Sequence, residues 1–232
     1  MHERARHRPP RRRGPVGTAL GILGELLLTA GVLILLYVAY VLWGTGIQTD
    51  RAQNELREQT IEAWAAPQGA GAAEVDLEQF DPDALDLGDG YALLRIPELG
   101  GDWEWVVVQG TELADLANGP GHYLHSANPG ELGNLAIAGH RSGHGAPFHH
   151  LDRLAVGDTI EIETAAGVWT YTLDQGPVII EPSDVWVIDP VPGEGPDAEP
   201  TERRITLTTC HPRYGSTERM YVTGVLTSGE EV

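Results

Sequence analysis

Residues 26–43 run for 18 positions without a charge (LLLTAGVLILLYVAYVLW). No other stretch restricts the fold as much. In hydrocarbon every backbone N–H and C=O must be satisfied internally, and for one isolated segment only the α-helix does so. At 1.5 Å per residue the stretch extends about 27 Å, close to the ~30 Å core of a bilayer. Glu25 would cost ~2.5–3.5 kcal/mol at the bilayer centre, but it sits at the end nearest the arginines. Tyr37, Tyr40 and Trp43 gather toward the other end, as an interfacial aromatic belt does. The segment exceeds the ~7–15 apolar residues of a cleavable signal and has no clear A-x-A-like site at its end. Residues 16–43 therefore read as an uncleaved anchor behind a basic tail, residues 1–15. By the positive-inside rule the tail is cytoplasmic and everything from residue 44 onward lies outside.

Charge then limits the partners. The chain has 34 acidic residues against 15 basic ones, all arginine, for a net charge of −19. Residues 1–43 hold six of those arginines and two of the acids (Glu3, Glu25), so the remainder carries 32 acids against nine arginines. Such a surface repels phosphate backbones, and nucleic acid is not an expected partner.

Residues 44–90 read as a juxtamembrane helix over 47–66, ended by Pro67, and then an acidic, Gly/Ala-rich spacer of low hydrophobicity. From Tyr91 the pattern changes to short strand-like runs at 91–96, 103–109, 134–139, 158–164, 168–174, 177–181, 185–188, 204–210 and 219–227. Turn signals such as Gly119-Pro120-Gly121 and Asn128-Pro129-Gly130 separate them, and short helical pieces fit only near 112–117 and 147–153. Residues 91–232 thus form an all-β domain, a closed barrel or a sandwich. The Pro/Gly/Glu stretch 189–202 interrupts it as a long exposed loop.

Cys210 is the only cysteine, so no internal disulfide can form. It ends the alternating run Ile205-Thr-Leu-Thr-Thr-Cys210 and precedes the turn His211-Pro-Arg-Tyr-Gly215. A thiol at a strand end is accessible, and cationic neighbours promote its reactive thiolate. Arg219 returns close to Cys210 if 219–227 pairs antiparallel with 204–210. A small buried hydrophobe is the bland alternative. His140 ends the run Asn134-Leu-Ala-Ile-Ala-Gly-His140, where an imidazole can act as general acid or base. With His144, His149 and His150 it also forms a histidine cluster. Zinc is a weaker reading for that cluster, because glycines make the segment a loop and no Cys, Asp or Glu completes a set before Asp152.

The sequence resembles the sortases, a family of membrane-anchored cysteine transpeptidases. Thr206-Leu-Thr-Thr-Cys210 matches the T-L-x-T-C signature, Arg219 follows at the family's nine-residue spacing, and Ala138-Gly-His140 lies about seventy residues upstream. Leu94-Arg-Ile-Pro97 resembles the first barrel strand. Gly119-Pro-Gly-His-Tyr123, Ala138-Gly-His-Arg141 and Gly145-Ala-Pro-Phe148 are most similar to class E sortases of high-GC Gram-positive bacteria. The resemblance implies a closed β-barrel of about eight strands with short helices, behind one transmembrane helix. It implies His140, Cys210 and Arg219 as catalytic residues, and Tyr123, Thr208 and Thr209 as substrate-binding residues. Neither metal nor cofactor is expected. The implied substrates are surface proteins with a C-terminal Leu-Ala-x-Thr-Gly or Leu-Pro-x-Thr-Gly sorting signal, cut between Thr and Gly. A cell-wall precursor amine would then take up the Thr carboxyl. A cysteine hydrolase with the same triad, a dedicated pilin-type polymerase and a non-catalytic adhesion or scaffold domain are the other readings.

Overall fold

A computed structural model describes residues 15–65 and 85–231. The basic tail but for residue 15, and the acidic spacer over residues 67–84, lie outside the described residues. Helix α1 (Pro15–Ala39) starts with proline at its first position, where the missing N–H costs nothing. Its 25 residues are long and apolar enough to cross a membrane. This helix belongs to one compact unit, and the described residues from Leu42 onward form another.

In the second unit, strands β1 (Gly90–Arg95), β2 (Glu104–Gln109), β3 (Gly121–His122), β4 (Gly133–Ala138), β5 (Thr159–Thr164), β6 (Gly167–Ile180), β7 (Arg203–His211) and β8 (Glu218–Glu231) close a barrel. Their order around it is β1-β2-β3-β4-β7-β8-β6-β5. The β2–β3 and β4–β7 pairs are parallel and the others antiparallel. Period-2 alternation turns Ile160, Ile162, Ile205, Leu207 and Val222 into the core, each fully buried. Phe148 and Leu151 join that core. A glycine at 139 lets the Phe148 ring lie against the backbone, since a Cβ there would overlap the ring.

Helix α2 (Thr45–Ala65) covers most of the helix expected over 47–66, and it packs on β1 and β2. Its docking side carries Thr49, Gln53, Arg57 and Thr60, spaced as one helix face. Gln53 Nε2 donates to the carbonyls of Val106 (3.0 Å) and Asn118 (2.8 Å), while its Oε1 accepts from the Val106 N–H (2.7 Å). Arg57 Nε pairs with Glu104 at 2.7 Å. A Cβ at Gly90 would overlap Thr60, and one at Gly119 would overlap the Gln53 amide. The helix therefore docks through polar groups into space that two glycines leave open.

Three expectations need correction. Residues 185–188 form a 3-10 turn (Val185–Ile188), not a strand. Asp184 accepts from the Glu181 N–H at 2.9 Å and the buried Asn134 amide donates to the carbonyls of Val187 and Asp189. Side chains thus supply partners that a strand would take from a neighbour. The runs at 168–174 and 177–181 are one strand, β6, with irregular register around Gln175. The helical piece near 147–153 is only the 3-10 turn Leu151–Arg153. The two-residue strand β3 was too short for any period to reveal.

Candidate active site

Three neighbouring strands bring the three expected catalytic residues into one row. In the β7–β8 ladder Cys210 pairs directly with Arg219, Thr208 with Tyr221 and Thr206 with Thr223. Alternation puts Thr206, Thr208 and Cys210 on the face away from Leu207 and the core. On the other side of β7, the parallel ladder with β4 ends at Ala138 opposite Thr208. Two further bonds extend it: the Gly139 N–H donates to the Thr208 carbonyl (3.0 Å), and Thr209 Oγ1 donates to the Gly139 carbonyl (2.7 Å). His140 therefore leaves β4 level with Cys210. All three residues are partly exposed.

Each arm of the row has its own support. The Arg219 guanidinium is held by Nη1, which donates to the carbonyls of Ser216 and Glu218, both at 3.0 Å. His140 stacks on His144, with ring centroids 4.9 Å apart and planes at 25°. Burial lowers the pKa of His140, and the facing His144 lowers it further. His144 lies in a run, Gly143 to Ala146, whose four φ angles are all positive, between 46° and 68°. That backbone is costly at His144 and Ala146. Thr45 of α2 holds it there, its Oγ1 accepting from the His144 N–H at 3.1 Å. Gly46, Ser142, Gly145, Ala146, His149 and Tyr214 contribute to the lining of a cavity of about 750 Å³ beside this turn.

The expected substrate-binding residues divide into two kinds. Tyr123 lies on the outer face with its hydroxyl 3.4 Å from Thr208 Oγ1. It also lines a cavity of about 400 Å³ with Ile188, Asp189, Pro190 and Pro196, so the 189–202 loop borders the same face. Thr209 is buried at 4 % exposure, and its hydroxyl is bonded to Gly139. The turn that presents Tyr123 rests on His122, which is 2 % exposed and stacks on Tyr91 at 4.4 Å. Its ring nitrogens contact Gln109 (2.9 Å) and Ser126 (2.9 Å). Burial drives the His122 pKa down to about 4.

Among the described residues no three or more His, Cys, Asp or Glu side chains are grouped to hold a metal ion. The imidazoles instead stack in pairs, His140 on His144 and His149 edge-on to His150. The sequence showed His144 within the histidine cluster but not its stacking on His140, the contact of Thr45 with the His144 turn or the ion pair of Arg141 with Asp152. The last two join positions 99 and 11 residues apart, and no local period encodes them.

The Sortase domain family model matches residues 94–227. Sortase SrtE2 of Streptomyces coelicolor is 35 % identical over 237 residues, covering 99 % of this chain and 89 % of that one. The structure of sortase E from Streptomyces avermitilis superposes with a TM-score of 0.57 at 38 % identity, over 64 % of this chain and 94 % of that one. Sortase E1 from Streptomyces coelicolor, solved with a tripeptide in its active site, gives a TM-score of 0.56 at 36 % identity, over 62 % and 91 %.

Proposed function

The chain belongs to the sortase family, most like class E, and from that premise we propose that it is a membrane-anchored transpeptidase acting through Cys210. One observation carries the assignment: Cys210 stands between the strand end that delivers His140 and the strand that delivers Arg219. The Cys210 thiolate attacks the Thr carbonyl carbon of a sorting signal, forming a C–S bond and an oxyanion. The Arg219 guanidinium donates hydrogen bonds to that oxyanion, a contribution worth several kcal/mol when it is preorganised. As the Thr–Gly C–N bond breaks, protonated His140 gives its proton to the departing Gly amine, leaving a thioester. An amine of a cell-wall precursor then attacks the thioester carbon, its proton passes to His140, and the Cys210 thiolate departs.

Tyr123 and Thr208 supply the floor along which the signal lies, and the 189–202 loop supplies one wall. Thr209 enters differently, by fixing Gly139 and with it the start of the His140 loop. Helix α1 is the anchor, with the arginine-rich tail in the cytoplasm and residues 44–232 outside, where the acceptor amine is found. A pure hydrolase would use the same residues, so the acceptor decides between them.

The test supplies Leu-Ala-x-Thr-Gly and Leu-Pro-x-Thr-Gly peptides with an amine acceptor to wild type and to Cys210→Ala. Amide product from wild type alone supports the assignment, and the faster peptide identifies the preferred signal. Cleavage without amide product at saturating amine favours the hydrolase. Equal rates from Cys210→Ala would remove the nucleophile assignment.

A further inference from the structure

The segment His211-Pro212-Arg213 takes no part in the chemistry above, yet two of its side chains converge on one place. Arg141, which directly follows His140, is 3 % exposed. Its Nη1 donates to His211 Nδ1 at 2.6 Å, and its Nη2 lies 3.3 Å from Asp152 Oδ1. Asp152 also accepts from Arg213 Nη2, at 3.0 and 3.2 Å. Burial pushes the Asp152 carboxyl up, but Arg141 and Arg213 outweigh it and hold its pKa below the ordinary value.

We propose that Arg141 and His211 are positioning residues that fix the separation of the His140 imidazole and the Cys210 thiol. The inference rests on the catalytic assignment of those two groups. Its geometry is a bracket. Immediately before them, Gly139 is bonded to Thr208 and Thr209; immediately after them, Arg141 is bonded to His211. The β4–β7 ladder has ended by this point, its last pair being Ala138 with Thr208. Without the second tie, Gly139 alone would join this segment to β7, since the other bonds there, from the Phe148 N–H to the His140 carbonyl (3.0 Å) and from His149 Nδ1 to the Arg141 carbonyl (3.0 Å), stay within the same loop. Asp152 and Arg213 keep the guanidinium aimed, since Asp152 touches both arginines.

The chemistry of the contact is directional. Arginine only donates, so His211 accepts at Nδ1 and carries its proton on Nε2. Nε2 faces Glu218 of β8 at 4.0 Å, and Glu218 pairs with His211 in the ladder. The Arg141–His211 bond is the shortest contact of a buried cation whose Nε has no partner among the described residues. Removing its acceptor leaves that cation underpaired, and the loop that carries His140 must shift to relieve it. A displacement of about 1 Å between reacting groups can cost on the order of 10²-fold in rate.

The test uses the full chain in detergent micelles, a sorting-signal peptide and an amine acceptor. His211 is about a quarter exposed, so its variants should fold, which thermal unfolding checks. His211→Leu removes the acceptor, whereas His211→Asn places an amide oxygen near the position of Nδ1. We expect His211→Leu to lower kcat by about 10- to 100-fold with KM changed less than about twofold, and His211→Asn to recover most of that loss. Arg141→Gln should show a similar loss, and the double variant with His211→Leu no further one. Wild-type kcat in His211→Leu, equal loss in Asn and Leu, or additive losses in the double variant would overturn the inference. Cys210→Ala is run alongside. If it retains transfer, the catalytic assignment itself has failed; if it is inactive while His211→Leu is not, only the bracket has failed.

Discussion

Cys210 and Arg219 face each other directly across the β7–β8 ladder, and the end of β4 delivers His140 to the opposite flank of Cys210. Nine residues separate Cys210 from Arg219 in sequence, and seventy separate it from His140. The first distance is closed by an antiparallel return and the second by a parallel ladder. Either ladder would lose the site with a one-residue slip, because each side chain would move to the other face.

The planar fork of Arg219 is expected to matter beyond its charge. Lysine cannot offer paired N–H groups to an oxyanion. Arg219→Lys should lower kcat/KM by about 10²-fold with an unchanged thermal midpoint. Steady-state transfer kinetics measure this, and activity within about threefold of wild type would show that a point charge is sufficient.

His144 is expected to tune His140. Both burial and the facing ring lower the His140 pKa. Removing the ring in His144→Ala removes one lowering influence and admits water, so His140 should titrate at higher pH. NMR titration of the His140 ring reads this directly. If transfer requires protonated His140, the fall of activity with rising pH should move to higher pH in the same variant. A downward shift in both measurements would contradict the assignment.

Burial of His122 predicts loss of stability in acid. Its folded pKa of about 4 lies below the ordinary 6.5, so between those values the unfolded chain binds more protons than the folded one. The contribution is therefore complete above about pH 6.5 and declines as pH falls toward 4, by at most about 3 kcal/mol. Urea unfolding of wild type and His122→Gln at several pH values should show a shallower acid slope in the variant. Identical slopes would count against it.

Docking of α2 depends on Gln53. Truncation in Gln53→Ala removes the partner of the Val106 N–H and of two carbonyls. The expected cost is about 1–3 kcal/mol in urea unfolding, mostly from the orphaned N–H. Hydrogen exchange at Val106 should accelerate, and unchanged exchange would mean that the helix is not held there.

The residues alone singled out the positions proposed to carry the chemistry and determined the class of fold. Cys210 and His140 stand at the ends of alternating runs, and period 2 is a local property that any reader of the chain can count. The charge-free stretch before Trp43 likewise declares its helix by length and apolarity, without needing a partner. Tertiary structure decided what surrounds these positions. Residues 185–188 have strand-like composition but turn, with Asn134, some fifty residues away, donating to the carbonyls of Val187 and Asp189. Helix α2 was legible as a helix but not as a wall of the domain, because its most buried side chains are Thr49 and Thr60 and its bonds run through Thr49, Gln53 and Arg57, while its apolar Ala52, Leu56 and Trp64 are only half-buried. Arg141, Asp152 and His211 are likewise ordinary polar residues in sequence. Their pairing exists only because the β4–β7 ladder brings position 141 to position 211, and hydrogen bonds leave no period in the chain that makes them.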